Sequence, residues 1–365
     1  MGNFDEAEYR ARLEQTRTRM DEQGLDVLVC TDPANMNYLT GYDGWSFYVP
    51  QCVVVALERP DPLWIGRTMD ANGARETVFM GEENILAYPD TYVQNVTCHP
   101  MDYVALLLTE YGFGRATVAL EMDSYYFSPA GYRAMVEALP EATFVDSANL
   151  VNWVRIIKSP QELAYMRQAA RIVEKVMRTG IDAVRPGVRQ CDAVAAIYHA
   201  QISGTPEFGG DYPAIAPMLP TGRGTSAPHL TWTDQPYGTG AATIVELAGC
   251  SHRYHCPMAR TVYLGTPPKE IADTAKIVIE GLETALEAAK PGVTCSEVEA
   301  AWRSVISRHG IEKESRIGYS TGLNYPPDWG EHTLSLRPGD MTVLEPGMAL
   351  HMIPGVWMDD WGIEI

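Results

Sequence analysis

The sequence predicts an α/β protein of two domains, and three observations point there. The chain is 365 residues long, roughly twice the usual length of one domain. Strand-like and helix-like segments alternate as far as Lys158. Beyond it lies a faint internal repeat, Val184–Ala196 against Ala289–Ala301, at an offset of 105 positions.

From Phe4 to Gln23 apolar and charged residues recur at helical spacing, and Val27–Cys30 then reads as a buried strand stopped by Thr31-Asp32-Pro33. Gln51–Leu57 and Thr117–Leu120 have strand character and Met101–Glu110 helical character. Ser128-Pro129 sets an N-cap and a first-turn proline ahead of a helix over Ala130–Ala138. At Lys158-Ser-Pro-Gln-Glu162, Ser159 and Glu162 have the spacing of a capping box and Pro160 suits a first helical turn. A long helix is predicted from there to Gly180, through Leu163, Met166, Ala169, Val173 and Met177, which places the domain junction at residue 157. The domains are therefore expected to span 1–157 and 158–365.

Each repeat unit reads as helix, Pro-Gly-Val turn, helix, and Thr294 with Glu297 forms a second capping box. Such a duplication predicts a pseudo-twofold domain with its cleft between the halves. Strand-like stretches at Ala242–Leu247, His252–Leu264 and Met341–Met352 would line that cleft.

With 46% hydrophobic and 21% charged residues, the composition is that of a globular protein. No apolar run approaches membrane-spanning length. The N-terminal stretch is charged from its fourth residue and lacks the apolar core of a secretory signal. Glu6 stands where a myristoylation motif after Met1-Gly2 needs Ser or Thr. A net charge of −19 argues against nucleic acid and anionic membranes as partners. It suits solubility or adaptation to a salty cytoplasm. Seven cysteines without CxxC spacing (Cys30, Cys52, Cys98, Cys191, Cys250, Cys256, Cys295) read as buried, reduced thiols of a cytoplasmic protein.

Few motifs carry chemistry. Gly318-Tyr-Ser-Thr-Gly322 has the G-x-S-x-G pattern, but a nucleophile elbow needs a helix right after the serine, and Leu-Asn-Tyr-Pro-Pro cannot start one. His252, His255 and Cys256 offer metal-ligand chemistry, yet on a strand residues 252 and 255 point to opposite faces. His229, in the loop Thr225-Ser-Ala-Pro-His229, is a candidate acid or base. Glu246 interrupts the otherwise apolar run Thr243-Ile-Val-Glu-Leu-Ala248, and Glu364 in Gly362-Ile-Glu-Ile365 does the same. A buried carboxylate is costly, so such residues are usually paired or functional.

In order along the chain, Gly24–Tyr42, Ile157–Leu163, Arg185-Pro-Gly-Val188, Ala259-Arg-Thr261 and Leu344-Glu-Pro-Gly-Met348 resemble the creatinase and aminopeptidase P family. The resemblance implies a pita-bread C-terminal domain after a smaller creatinase-type α/β domain, and a homodimer. Peptidases of this family hold two divalent metals through two Asp, one His and two Glu. Those positions fall here on Glu246, Pro257, Tyr319, Ile353 and Glu364. Proline, tyrosine and isoleucine suit no paired-metal site, so the expectation is a cofactor-free enzyme rather than a metallopeptidase.

His229 matches the catalytic histidine of creatinase, the family's metal-free precedent, whereas Ala259 stands where creatinase has a Glu. Metal-free members of this kind hydrolyse C–N bonds of small zwitterions, and the chain looks most like one whose substrate is a cyclic amidinium bearing a carboxylate. Glu246 would hold the cation and act as nucleophile or as base for a water. His229 would pass a proton to the departing nitrogen, Glu364 would hold the other N–H, and Tyr319 would hydrogen-bond the tetrahedral centre. Trp45, Phe47 and Tyr48 would be apolar walls contributed by a partner subunit. Another guanidinium or amidinium substrate, Xaa-Pro peptidase activity and a non-catalytic binding module remain alternatives. Family members usually continue for a few dozen residues past the equivalent of Ile365, so further residues are expected there.

Overall fold

The computed structural model describes residues 3–365; Met1 and Gly2, where the acylation motif was sought, lie outside them. The chain divides into two compact units, with the break between Arg155 and Ile156. Among the described residues no helix is long and apolar enough to cross a membrane.

In the first unit the elements run α1 (Glu6–Glu22), β1 (Val27–Cys30), α2 (Pro33–Thr40), β2 (Cys52–Ala56), β3 (Leu63–Arg67), α3 (Ala71–Thr77), β4 (Ile85–Tyr88), α4 (Pro100–Glu110), β5 (Thr117–Leu120), α5 (Pro129–Ala138), β6 (Thr143–Asp146) and α6 (Leu150–Val154). The strands form one mixed sheet in the order β4-β3-β2-β1-β5-β6. Its central strands β1 and β2 are buried along their whole length, as their unbroken apolar runs require. Val27, Val54, Ile65, Leu108, Val118 and Met135 sit in one core beneath α4 and α5. The predicted cap is present: Ser128 Oγ accepts the Gly131 N–H at 3.1 Å ahead of Pro129.

The second unit runs α7 (Pro160–Ala183), α8 (Gln190–Ser203), β7 (Ala241–Ser251), β8 (Tyr254–Leu264), α9 (Lys269–Ala288), α10 (Cys295–Ser307), β9 (Gly318–Thr321), β10 (Gly330–Ser335), β11 (Leu350–Met352), β12 (Gly355–Trp357) and β13 (Gly362–Glu364). The duplication is structural: α7 and α8 flank a turn at Gly187 (φ +85°), and α9 and α10 flank one at Gly292 (φ +90°). Both predicted capping boxes form, Ser159 with Glu162 and Thr294 with Glu297. Helix α7 lies so close on β7 that a Cβ on Gly249 would collide with the Ala169 carbonyl. The core between them gathers Ile172, Val176, Ile197, Leu219, Val245 and Leu247. Strands β7 and β8 make a long antiparallel hairpin, β10-β9-β11 a three-stranded sheet, and β12–β13 a second hairpin.

Three expectations need correction. His252 and Arg253 are not in a strand but make the β7–β8 turn, both at positive φ (52° and 67°), so β8 starts at Tyr254. Within 341–352 only Leu350–Met352 is strand, because Asp340 and the turn at Gly347 (φ +94°) bend the chain instead. Four cysteines are buried, but Cys98, Cys191 and Cys256 are partly exposed; none is in a disulfide.

Candidate active site

In the β7–β8 hairpin, Glu246 faces Ala259 and Ala248 faces Pro257. Side chains alternate along a strand, so Glu246 and Pro257 share one face as diagonal neighbours. Where the sequence reading expects the second carboxylate of a metal site, that face presents the Pro257 pyrrolidine ring. Met218 exchanges both backbone hydrogen bonds with Glu246, at 2.8 and 3.0 Å, which fixes the strand's free edge.

Glu364 arrives on β13. Its N–H reaches Thr261 Oγ1 at 2.9 Å, and the same hydroxyl bonds the Glu364 carbonyl at 2.8 Å. Thr261 stands opposite Ile244, two residues from Glu246. This clip sets the second carboxylate beside the first. Glu246 is 5% and Glu364 3% exposed. Burial, and then the neighbouring Glu364, push the Glu246 carboxyl well above the usual range. Burial lifts Glu364 to about 7, against the pull of nearby Lys313. Glu364 Oε2 has no hydrogen-bond partner. The two carboxylates therefore form a buried acceptor site in want of a cation.

Tyr319 joins them from β9. Glu246 helps burial raise its pKa, so it keeps its proton. Its hydroxyl accepts the Trp329 indole N–H at 2.8 Å and lies 3.2 Å from His351 Nδ1. Burial holds His351 neutral, with a pKa pushed down to about 3. Two buried neighbours thus compete with any ligand for the tyrosine hydroxyl.

His229 is exposed and bonds neither carboxylate. Its loop is nonetheless anchored at both ends: Gly362, two residues from Glu364, donates to Thr225 Oγ1 at 2.9 Å, and Leu219 donates to the Thr231 carbonyl at 3.1 Å. The structure thus gathers Glu246, Glu364 and Tyr319 and leaves His229 on a tethered loop. Trp45, at 56% exposure, and Tyr48, at 68%, belong to the first unit, where Phe47 packs on Trp45.

Other candidates resolve as structural. Ser320 is buried within β9 and its hydroxyl is 2.7 Å from Thr333 Oγ1, so it stands at no elbow. His255 is buried and its Nε2 accepts the Ala214 N–H at 2.8 Å, while His252 stacks on Tyr165. Ile353, at another expected ligand position, is buried and apolar. Among the described residues no three His, Cys, Asp or Glu side chains cluster as a metal site. With Pro257 and Ile353 in ligand positions, this donor set does not fit a dinuclear metal centre.

Sequence reasoning missed Lys313, Trp329, His351 and Trp357. Lys313 sits in the polar run Glu312-Lys-Glu-Ser, where nothing local signals burial, yet it is 7% exposed with its Nζ 4.0 Å from the centre of the Trp357 ring.

The chain matches the description "Metallopeptidase family M24" over residues 164–365 and "Creatinase/Prolidase N-terminal domain" over 12–157. It is 50% identical to the ectoine hydrolase of Halomonas elongata, covering 99% of this chain and 92% of that protein. It is 23% identical to the Xaa-Pro dipeptidase of Pyrococcus furiosus, covering 97% and 92%. Among solved structures, the prolidase of Thermococcus sibiricus superposes with a TM-score of 0.84 at 21% identity, covering 98% and 92%. The Xaa-Pro dipeptidase of Bacillus anthracis does so with 0.80 at 22% identity, covering 98% and 93%. The chain belongs to the creatinase and aminopeptidase P family, with its pita-bread catalytic domain.

Proposed function

We propose that this protein is a hydrolase that opens the cyclic amidine ring of ectoine to N-acetyl-2,4-diaminobutyrate without a metal. One observation carries the chemistry: Glu246 and Glu364 are both buried and near one another's charge, a pair that a planar N–C–N cation would neutralise. Half-identity to an ectoine hydrolase over nearly the whole chain supports the same substrate.

An amidinium entering the site supplies the missing positive charge and draws Glu246 into its ionised form. A Glu246 oxygen then attacks the ring carbon between the nitrogens. That C–O bond forms, one ring C–N bond breaks, and His229 protonates the departing nitrogen as its loop closes. Water next adds to the same carbon, the Glu246–carbon bond breaks, and the proton lost by water returns to His229. Glu364 holds the other N–H, and Tyr319 donates to the tetrahedral centre. If Glu246 instead activates a water, the products are the same; an adduct on Glu246, seen by intact mass, separates the two routes.

The proposal includes a homodimer in which Trp45, Phe47 and Tyr48 give apolar cover to the site of the second copy. It also places the protein in the reducing cytoplasm of a cell that meets ectoine as an osmolyte, which accords with seven cysteines outside any disulfide and a net charge of −19.

The test is turnover by chelator-treated protein offered ectoine, creatine and an Xaa-Pro dipeptide, with products read by mass spectrometry. Addition of one water to ectoine alone is expected. Peptide cleavage that stops on chelation would overturn the proposal, and turnover of creatine alone would reassign the substrate.

A further inference from the structure

Ectoine carries a carboxylate as well as an amidinium, and two buried carboxylates account only for the cation. Lys313 has the complementary properties. Its ammonium lies over Trp357 and makes no hydrogen bond, and the buried Trp357 indole N–H likewise has no acceptor. Two buried donors without an acceptor are costly unless a ligand supplies one. The neighbouring Glu364 has the reverse deficit, a buried oxygen without a donor.

Donors at one end and acceptors at the other match a zwitterion. Arg316, the cation next to β9, is otherwise engaged, lying over the Tyr319 ring and donating to Ser335 Oγ at 3.0 Å. Lys313 also lines a cleft of about 630 Å³ with Arg303, Ser307 and Pro338; Glu246, Glu364 and Trp357 are not among its lining residues.

We infer that Lys313, with the Trp357 indole N–H, binds the substrate carboxylate and so selects carboxylated cyclic amidines over the bare ring. The inference rests on the functional reading above. Lys313 is faced by Glu364 from β13 and Arg303 from α10, with Glu312 and Glu314 along the cleft. Burial outweighs the attraction of Glu364 and pushes its pKa down to about 8, which leaves it charged near neutrality.

The experiment compares wild type and Lys313→Met on ectoine and on the same methylated cyclic amidine lacking the carboxylate. Loss of a charge-assisted hydrogen bond should raise KM for ectoine about 10- to 100-fold. KM for the bare ring should move by a much smaller factor, that of the lost pull on Glu364, so the preference collapses. A lysine that only offsets the charge of Glu364 would instead alter both substrates alike, and that result overturns the inference. Should the variant fold poorly, wild type alone decides: KM for ectoine must climb above pH 8 while that for the bare ring does not, and parallel profiles refute the carboxylate role. Wild type that opens neither ring removes the functional reading and this inference with it. Wild-type turnover with an unchanged preference in Lys313→Met removes the inference alone.

Discussion

Replacing Glu364 by glutamine should stabilise the protein, and only at neutral to alkaline pH. Burial raises the Glu364 pKa in the folded state from 4.5 to about 7, so folding favours its protonated form. The stability it contributes is complete below about pH 4.5 and is lost as pH climbs through about 7, where an ionised carboxylate must be kept out of water. At about 1.4 kcal/mol per pKa unit, that loss approaches about 3 kcal/mol. Glutamine has no such charge to bury. Lys313 does not undo the gain, since with a pKa of about 8 it is largely neutral at pH 8.5 and leaves no stranded ammonium. In a domain of this size about 1 kcal/mol moves Tm by roughly 2–4 °C, so Glu364→Gln should melt about 6–12 °C above wild type at pH 8.5. Near pH 5 the two should melt almost together. Scanning calorimetry of both proteins at the two pH values reads the difference. A variant that melts no higher than wild type at pH 8.5, or higher by the same amount at pH 5, would refute the idea that Glu364 is held in a charge-hostile site.

Other substitutions separate chemistry from folding. Glu246→Gln should abolish ectoine turnover while Tm at pH 8.5 stays level or rises; residual turnover near wild type would take Glu246 out of the reaction. His229→Ala should also abolish turnover, yet shift unfolding in urea by no more than about 0.5 kcal/mol, because the side chain is exposed. Tyr319→Phe should lower kcat by roughly 10²-fold if the hydroxyl serves the tetrahedral centre. An unchanged kcat with a lowered Tm would mean it serves only Trp329 and His351. Lys158→Met should destabilise by about 3–5 kcal/mol in denaturant melts, since it removes the ammonium 2.5 Å from buried Glu331. The double replacement of Lys158 and Glu331 by apolar residues should recover most of that loss, and failure to recover would show that more than the ion pair was removed.

The legible parts of this molecule were those written locally. Ser159 with Glu162, Thr294 with Glu297 and Ser128 before Pro129 announce helix starts because a cap involves residues three positions apart. The duplication was legible because both Pro-Gly-Val turns need glycine at positive φ, at Gly187 and Gly292. Glu246 and Glu364 stood out because carboxylates seldom sit inside apolar runs, and both are buried beside one another's charge. By contrast, His252 and Arg253 adopt positive φ without the Gly or Asn that would signal a turn. The exposure of Cys98, Cys191 and Cys256 depends on which neighbours fold over them. So does the burial of Lys313, whose partners Trp357 and Glu364 lie more than forty positions away in sequence. The Trp329 and His351 contacts to Tyr319 come from separate segments, joined only by the pairing of β10 and β11 with β9.

The replaced ligand positions and the raised carboxyl pKa values have one physical origin. Paired carboxylates in a buried cleft repel one another and lose hydration, and a site of this kind persists only if something positive compensates. In the peptidases of the family, divalent metals can take that part. Here Pro257 and Ile353 remove the donors that would complete such a centre, while Glu246 and Glu364 remain. The raised pKa values of the two carboxyls, which favour their neutral forms, and the adjacent Lys313 limit the repulsion. A planar organic cation offers more, because it brings a full charge together with N–H donors for the unbonded Glu364 oxygen. In the proposed reaction this negative site would favour an amidinium, and the energy released on pairing would help ionise Glu246, whether as nucleophile or as base.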